Sequence, residues 1–146
     1  MSRSVFLATL VAATVVHADA PKLPSTEDAQ AAHLADAKWA APKAPEIPPG
    51  ALVSPVAVEP GSGASVGYAK FPPGYQFPAH WHSHGEYTVL VSGKAVFTIA
   101  GKEHQLLPGS YVVIPAKETH QVRCESGAEC VLLTRRAGPT EYHWVK

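Results

Sequence analysis

Five of the eight histidines in this 146-residue chain fall between positions 80 and 120, and the densest stretch reads His80-Trp81-His82-Ser83-His84-Gly85-Glu86. Side chains at i and i+2 on a β-strand leave the same face, so His80 and His82 are able to approach one ion together. Neutral imidazoles and a carboxylate are borderline-hard donors that suit Fe, Mn, Co, Ni, Cu or Zn. A single strand histidine is ordinarily a satisfied or exposed residue. Two at this spacing, with a carboxylate four residues on, are not easily explained that way. No serine, cysteine or lysine is arranged as a nucleophile, so any catalysis is expected to run through a metal.

The spacing continues on both sides of that stretch. Gly74, His80, His82, Glu86 and Gly93 are separated by five, one, three and six residues, and Gly109, Pro115 and His120 follow with five and four residues between them. These positions resemble the two sequence motifs of the cupin family. Two scaffold positions depart from it: Lys117 stands where the motif has Gly, and Cys124 where it has Asn. The resemblance runs from Gly74 to Cys124 by motif, and from about Ala51 to Thr134 by strand rhythm.

The resemblance implies an all-β fold, a single jelly-roll β-barrel with one divalent transition metal near one mouth, held by His80, His82, Glu86 and His120. It also implies a small-molecule ligand or substrate and admits a homodimer. Many cupins of this kind are dioxygenases, isomerases or lyases acting through an open metal site. Others are non-catalytic modules that bind or sense a metal or a small ligand, and fold does not decide between the two. His84 shares the strand parity of His80 and His82 but lies in a connecting triplet. It is either a residue that supports the site or faces substrate, or a plain loop histidine. His104 is expected on an exposed hairpin. Tyr68, Tyr75, Phe77, Trp81 and Tyr87 surround the motif as core, with one or two of them lining a pocket.

The elements that must position these residues are short β-rich runs: Leu52–Val58, Ser65–Phe71, Tyr87–Val91, Ala95–Ala100, Tyr111–Ile114, His120–Cys124 and Val131–Thr134. Gly- and Pro-containing turns punctuate them, and no helical periodicity survives past Ala51, the pattern of a sandwich or barrel. The hairpin that joins the two motif segments is expected from Ala95–Ala100, Gly101-Lys102 and Glu103–Leu107. The barrel is placed at 51–136 and residues 137–146 are read as a C-terminal tail.

Eight of the fourteen prolines fall between Pro21 and Pro60, marking residues 19–50 as an irregular Pro/Ala-rich leader. Ser25 and Asp28 stand at capping-box spacing, which allows a short helix over 26–38 with Leu34 and Trp39 docking on the barrel, or else a flexible spacer. Ahead of it, the twelve apolar-rich residues Val5 to Val16 follow Arg3 and are too short to span a bilayer. They predict a secretory signal peptide over residues 1–18, cut after Ala18 or Ala20, and an exported protein, periplasmic or extracellular. Arg3 has no neighbouring arginine, so the chain is expected to cross the membrane unfolded and to load its metal outside the cytoplasm. The affinity order that rises from Mn to Cu and falls to Zn then favours Cu or Zn, with Fe, Mn or Ni set by availability.

Twelve basic and twelve acidic side chains cancel, and no basic run exists to track a phosphate backbone, which argues against nucleic acid. No second long apolar segment suggests membrane insertion. Cys124 and Cys130 flank Glu-Ser-Gly-Ala-Glu, and Gly127 is able to take the positive φ of a tight hairpin tip. Opposed strand residues lie about 4.5–5.5 Å apart at Cα, within disulfide reach. Export implies oxidising surroundings, so a structural Cys124–Cys130 bridge is expected.

Overall fold

The computed structural model of the chain describes Ser25 and residues 29–146; the expected signal peptide, 1–18, lies outside the described residues. Ten strands follow one another: β1 (Leu52–Val58), β2 (Ser65–Phe71), β3 (Gln76–Trp81), β4 (Glu86–Ser92), β5 (Ala95–Ile99), β6 (Lys102–Leu106), β7 (Tyr111–Ile114), β8 (His120–Cys124), β9 (Cys130–Arg136) and β10 (His143–Trp144). They form two five-stranded sheets, ordered β1-β2-β9-β4-β7 and β10-β3-β8-β5-β6, with every pairing antiparallel. Face-to-face packing of two such sheets is the jelly roll that the strand rhythm predicts.

Alternation explains which residues fill the interior. Along β4 Glu86, Thr88 and Leu90 are buried, along β8 His120, Val122 and Cys124. Phe97 and Leu90 are fully buried at the centre, with Phe71, Ile114, Val122 and Leu132 around them. On β3 the inward parity has to change, because Phe77 and His80 are three residues apart and both are buried. A register irregularity between them, against β8, makes the change. A bulge that adds one residue re-aims the side chains after it, and here it turns His80 inward opposite His120. The edge strand β1 carries a second irregularity between Pro55 and Ala57, a place where proline costs no ladder hydrogen bond.

The two ends of the chain depart from expectation. In the described part of the segment that allowed a short helix over 26–38 or a flexible spacer, a single 3-10 turn at Leu34–Asp36 forms. The cap at His33 supplies no side-chain hydrogen bond and no residue of the turn is buried, so neither capping nor an apolar face favours a longer helix. The leader docks by isolated bridges instead, Ala40 with Val53 and Ser25 with Val58. Trp39 lies 6.5 Å from the Tyr68 ring with the Lys70 ammonium 4.4 Å over it. Residues 137–146, expected as a tail, return as β10. His143 pairs with Trp81, Trp144 pairs with His80, and Tyr142 and Trp144 pack on the core. Among the described residues, no helix is long and apolar enough to cross a membrane.

Cys124 and Cys130 form the expected disulfide, with Cα atoms 5.8 Å apart, but not across a hairpin. Cys124 pairs in register with Ala95 in one sheet, and Cys130 with Phe71 in the other. The bridge therefore staples the two sheets together at the end of the barrel away from His120 and Arg136. Gly127 takes φ +110° in the connection. Gly93 is needed beside it: a Cβ there would stand 2.4 Å from the Glu129 carbonyl oxygen and 2.9 Å from Cys130 Cα. The oxidised protein is expected to be two hydrogens lighter than its reduced form in mass spectrometry. Closing a loop this short contributes about 2 kcal/mol in the chain-entropy model. Replacing both cysteines with Ser should lower the urea-unfolding free energy by at least that much, and an unchanged midpoint would show that the staple contributes nothing.

Candidate metal centre

His80, His82 and His120 converge at the end of the barrel opposite the disulfide. One ring nitrogen of each lies within 4.8 Å of the others, and all three side chains are buried. His80 is on β3 and His120 faces it in register on β8; His82 follows the end of β3. The ring centroids are 4.2 Å apart for His80 and His120, 4.8 Å for His80 and His82, and 5.2 Å for His82 and His120.

Each imidazole is held at its other nitrogen by the main chain. Nδ1 donates to the carbonyl of Pro78 from His80 (2.7 Å), of Glu141 from His82 (2.5 Å) and of Glu118 from His120 (3.0 Å). A carbonyl only accepts, so Nδ1 carries a proton in each ring, which leaves Nε2 as the nitrogen that can meet a metal. The Nε2 atom of His120 is buried without a hydrogen-bond partner, and that of His82 faces the Glu86 carboxylate. Imidazoles fixed by backbone carbonyls, with ring nitrogens gathered within 4.8 Å of one another, fit a borderline divalent metal.

Burial, reinforced by the neighbouring His120, pushes His80 down to about 3. Burial also lowers His120, although Glu86 opposes it. Neutral rings are what a metal requires.

Glu86 stands beside this trio. Its Oε2 lies 3.1 Å from His82 Nε2 and 2.9 Å from Arg136 Nη2. Its Oε1 accepts from Thr88 Oγ (3.1 Å), which is 3.0 Å from the Thr134 hydroxyl. Glu86 and Arg136, like Thr88 and Thr134, are directly opposed on β4 and β9. Burial alone would raise the Glu86 carboxyl. The Arg136 guanidinium outweighs it and holds Glu86 well below the ordinary carboxylate range.

Arg136 was not among the residues read as functional, yet the alternation Leu132, Thr134, Arg136 continues the expected strand inward and signals it. Tyr142 carried no such signal. Its ring lies 5.4 Å from His80 and 5.3 Å from His82, stacks on Trp144 at 5.1 Å, and sits 5.6 Å from the Arg136 guanidinium carbon.

The other sequence candidates scatter. His84 is exposed, with its ring against Gly138, and does not join the trio. His104 is exposed on β6. Trp81 stacks on His143 at 3.8 Å. Tyr68 and Phe77 line the barrel's cavity of about 840 Å³, which His80, Glu86, His120 and Arg136 also reach. Lys117, where the motif has glycine, takes φ +64° and donates its N–H to the His82 carbonyl (2.7 Å). The glycine preference thus has a backbone cause.

Residues 67–134 match the family model described as the cupin domain. Among solved structures, the polyketide cyclase RemF from Streptomyces resistomycificus superposes with a TM-score of 0.67 at 17% identity, over 82% of this chain and 87% of that one. An RmlC-like cupin from Shewanella frigidimarina NCIMB 400 gives 0.61 at 15%, over 76% and 93%. An oxalate oxidase gives 0.59 at 21%, over 68% of this chain but only 57% of that one. Similarity at these identities shows the fold. No curated protein sequence matches at a significant level.

Two outcomes follow from this geometry. Lys117→Gly relieves a left-handed backbone that costs a side-chain-bearing residue about 1 kcal/mol, so thermal unfolding should shift upward without loss of bound metal; a lower Tm would contradict it. In the metal-free chain, His80 and His120 resist protonation while the unfolded chain takes up protons below 6.5, the ordinary histidine value. Their contribution is complete above that pH and lost as pH falls below it, for His80 as far as about 3, by up to about 1.4 kcal/mol per pH unit for each group. Glu86, held low, adds a loss in the same direction below 4.5, its ordinary value. Urea midpoints of chelator-treated protein should therefore drop between pH 7 and pH 5, and a flat profile would show that the histidines are not held neutral.

Proposed function

We propose that this chain, whose residues 67–134 match the cupin domain, is a mononuclear metal protein acting on a small organic molecule. The observation that carries this is the trio His80, His82 and His120, with Nδ1 tied to main-chain carbonyls and ring nitrogens converging within 4.8 Å. Glu86 is the fourth donor from beside His82. Its two oxygens provide enough lone pairs to serve Arg136 and a metal together. A bound divalent ion would supply Lewis-acid or oxidation chemistry at this point.

The chain's own residues do the rest. The main-chain carbonyls orient the rings, and Arg136 keeps Glu86 ionised. The stacked pair Tyr142 and Trp144 covers the trio on the β10 side and limits water there. The cavity of about 840 Å³ that reaches His80 and His120 is of the size that takes a small organic ligand. Access to such a space supports an enzyme of dioxygenase, isomerase or lyase type over a closed structural site. A binding or sensing module would share the ligands but show no turnover.

Export is part of the same proposal. The Cys124–Cys130 bridge suits an oxidising compartment, in keeping with the N-terminal segment read as a signal peptide. A His-rich site loaded there favours Cu or Zn by affinity. Elemental analysis of protein isolated from its native compartment should find about one Cu or Zn per chain, and His120→Ala should lower the stoichiometry well below half. Full metal content in His80→Ala, His82→Ala and His120→Ala alike would overturn the site. Iron or manganese, found where copper and zinc were also present, would overturn the affinity order.

A further inference from the structure

Arg136 has a donor to spare. Its Nη2 meets Glu86 at 2.9 Å and its guanidinium carbon lies 5.6 Å from the Tyr142 ring, while its Nε is buried without a hydrogen-bond partner. A guanidinium offers five N–H donors in a planar fork, and a charged donor buried without an acceptor is costly. The side chain is 18% exposed, and Arg136 lines the cavity that also reaches His80 and His120. The remaining wall is largely apolar, with Val53, Val66, Ala69, Phe71, Phe97 and Trp144 among its residues.

Charge sharpens the picture. Arg136 and Glu86 cancel one another, and the three imidazoles are neutral ligands. With the Glu141 carboxylate also lining the cavity and acting on Arg136, a divalent metal on the trio leaves this end of the cavity with an excess of one positive charge in surroundings of low dielectric, which a monoanion would offset.

We infer that the cavity binds a small carboxylate with an apolar body, its oxygen on the Arg136 guanidinium and its hydrocarbon against the walls between the sheets. The inference rests on the metal-binding reading and deepens it by naming the ligand class. Arg136 is thereby the residue that selects an acid over its neutral analogues. Guanidinium recognises carboxylate through a directed hydrogen bond as well as charge, so a lysine at this position is not equivalent.

The test compares 3-phenylpropanoate with 3-phenylpropanamide by isothermal titration on zinc-loaded full-length mature protein. The two probes share an apolar body and differ only in charge at the head. The acid should bind at least tenfold more tightly than the amide. In Arg136→Met, titrated with enough zinc to fill the site, the acid should lose at least tenfold and the amide less than threefold. In Arg136→Lys the acid should bind several-fold more weakly than in wild type yet still ahead of the amide.

Equal affinity for acid and amide in the wild-type chain overturns the inference without any substitution. So does an acid affinity unchanged in Arg136→Lys, even if Arg136→Met fails to fold. Failure of the metal site shows separately, as zinc stoichiometry near zero in the wild-type chain. In that case the acid and amide are titrated on the metal-free chain with the same variants, and an acid preference that does not depend on Arg136 again overturns the inference.

Discussion

A carboxylate buried between two sheets remains charged only beside a cation, and the pair of Glu86 with Arg136 is the interaction around which the functional end of this barrel is built. Desolvation of both partners is expensive, and attraction in the interior repays it only when the remaining lone pairs find donors. Here Thr88 supplies one, and Thr134 fixes Thr88 from the facing strand. The four residues sit at matched register on β4 and β9, so a slip of one residue between these strands would turn a charged pair and a hydroxyl pair out of the barrel. The polar pairing thereby adds a second reason for the register that the apolar pattern already favours.

The imidazoles solve a related problem by a different route. Burial favours the neutral form of His80 and His120, and all three rings turn Nδ1 to the main chain. Each then has one N–H to satisfy, and the main chain supplies a carbonyl for every one of them. Two of those carbonyls, of Pro78 and Glu118, come from two residues before the histidine they hold. The third belongs to Glu141, 59 residues from His82 along the chain, so part of the ligand geometry is carried by the C-terminal segment. Return of that segment as β10 is what brings Tyr142 and Trp144 over the site.

The barrel thus separates its tasks. At one end a disulfide joins the sheets, backed by Gly93 where a side chain would strike Glu129 and Cys130. At the other end polar groups replace the apolar filling, and the cavity between the sheets runs from His80, His120 and Arg136 to Phe71, Phe97 and Val122.

Most strands were legible in the sequence because they are short apolar or alternating runs between glycine and proline turns. The three converging histidines and the neighbouring carboxylate were legible because their spacing is fixed within strands and the turns between them. The disulfide was legible as a pair but not as a link between sheets, since a six-residue separation does not tell a hairpin from a crossover. Strand β3 was harder to read, because its bulge breaks the two-residue period between Phe77 and His80. Strand β10 was missed because two paired residues after Gly138-Pro139 leave no pattern to recognise. Arg136 stood one alternation beyond the assigned end of β9. Local spacing is written into the chain, so the sequence by itself determined which residues are offered for chemistry. Which partner each of them meets depends on strand register and on the return of a distant segment. Those are set by the packing of the whole barrel, and only the tertiary structure decided that Glu86 faces Arg136, that Glu141 holds His82, and that Tyr142 covers the site.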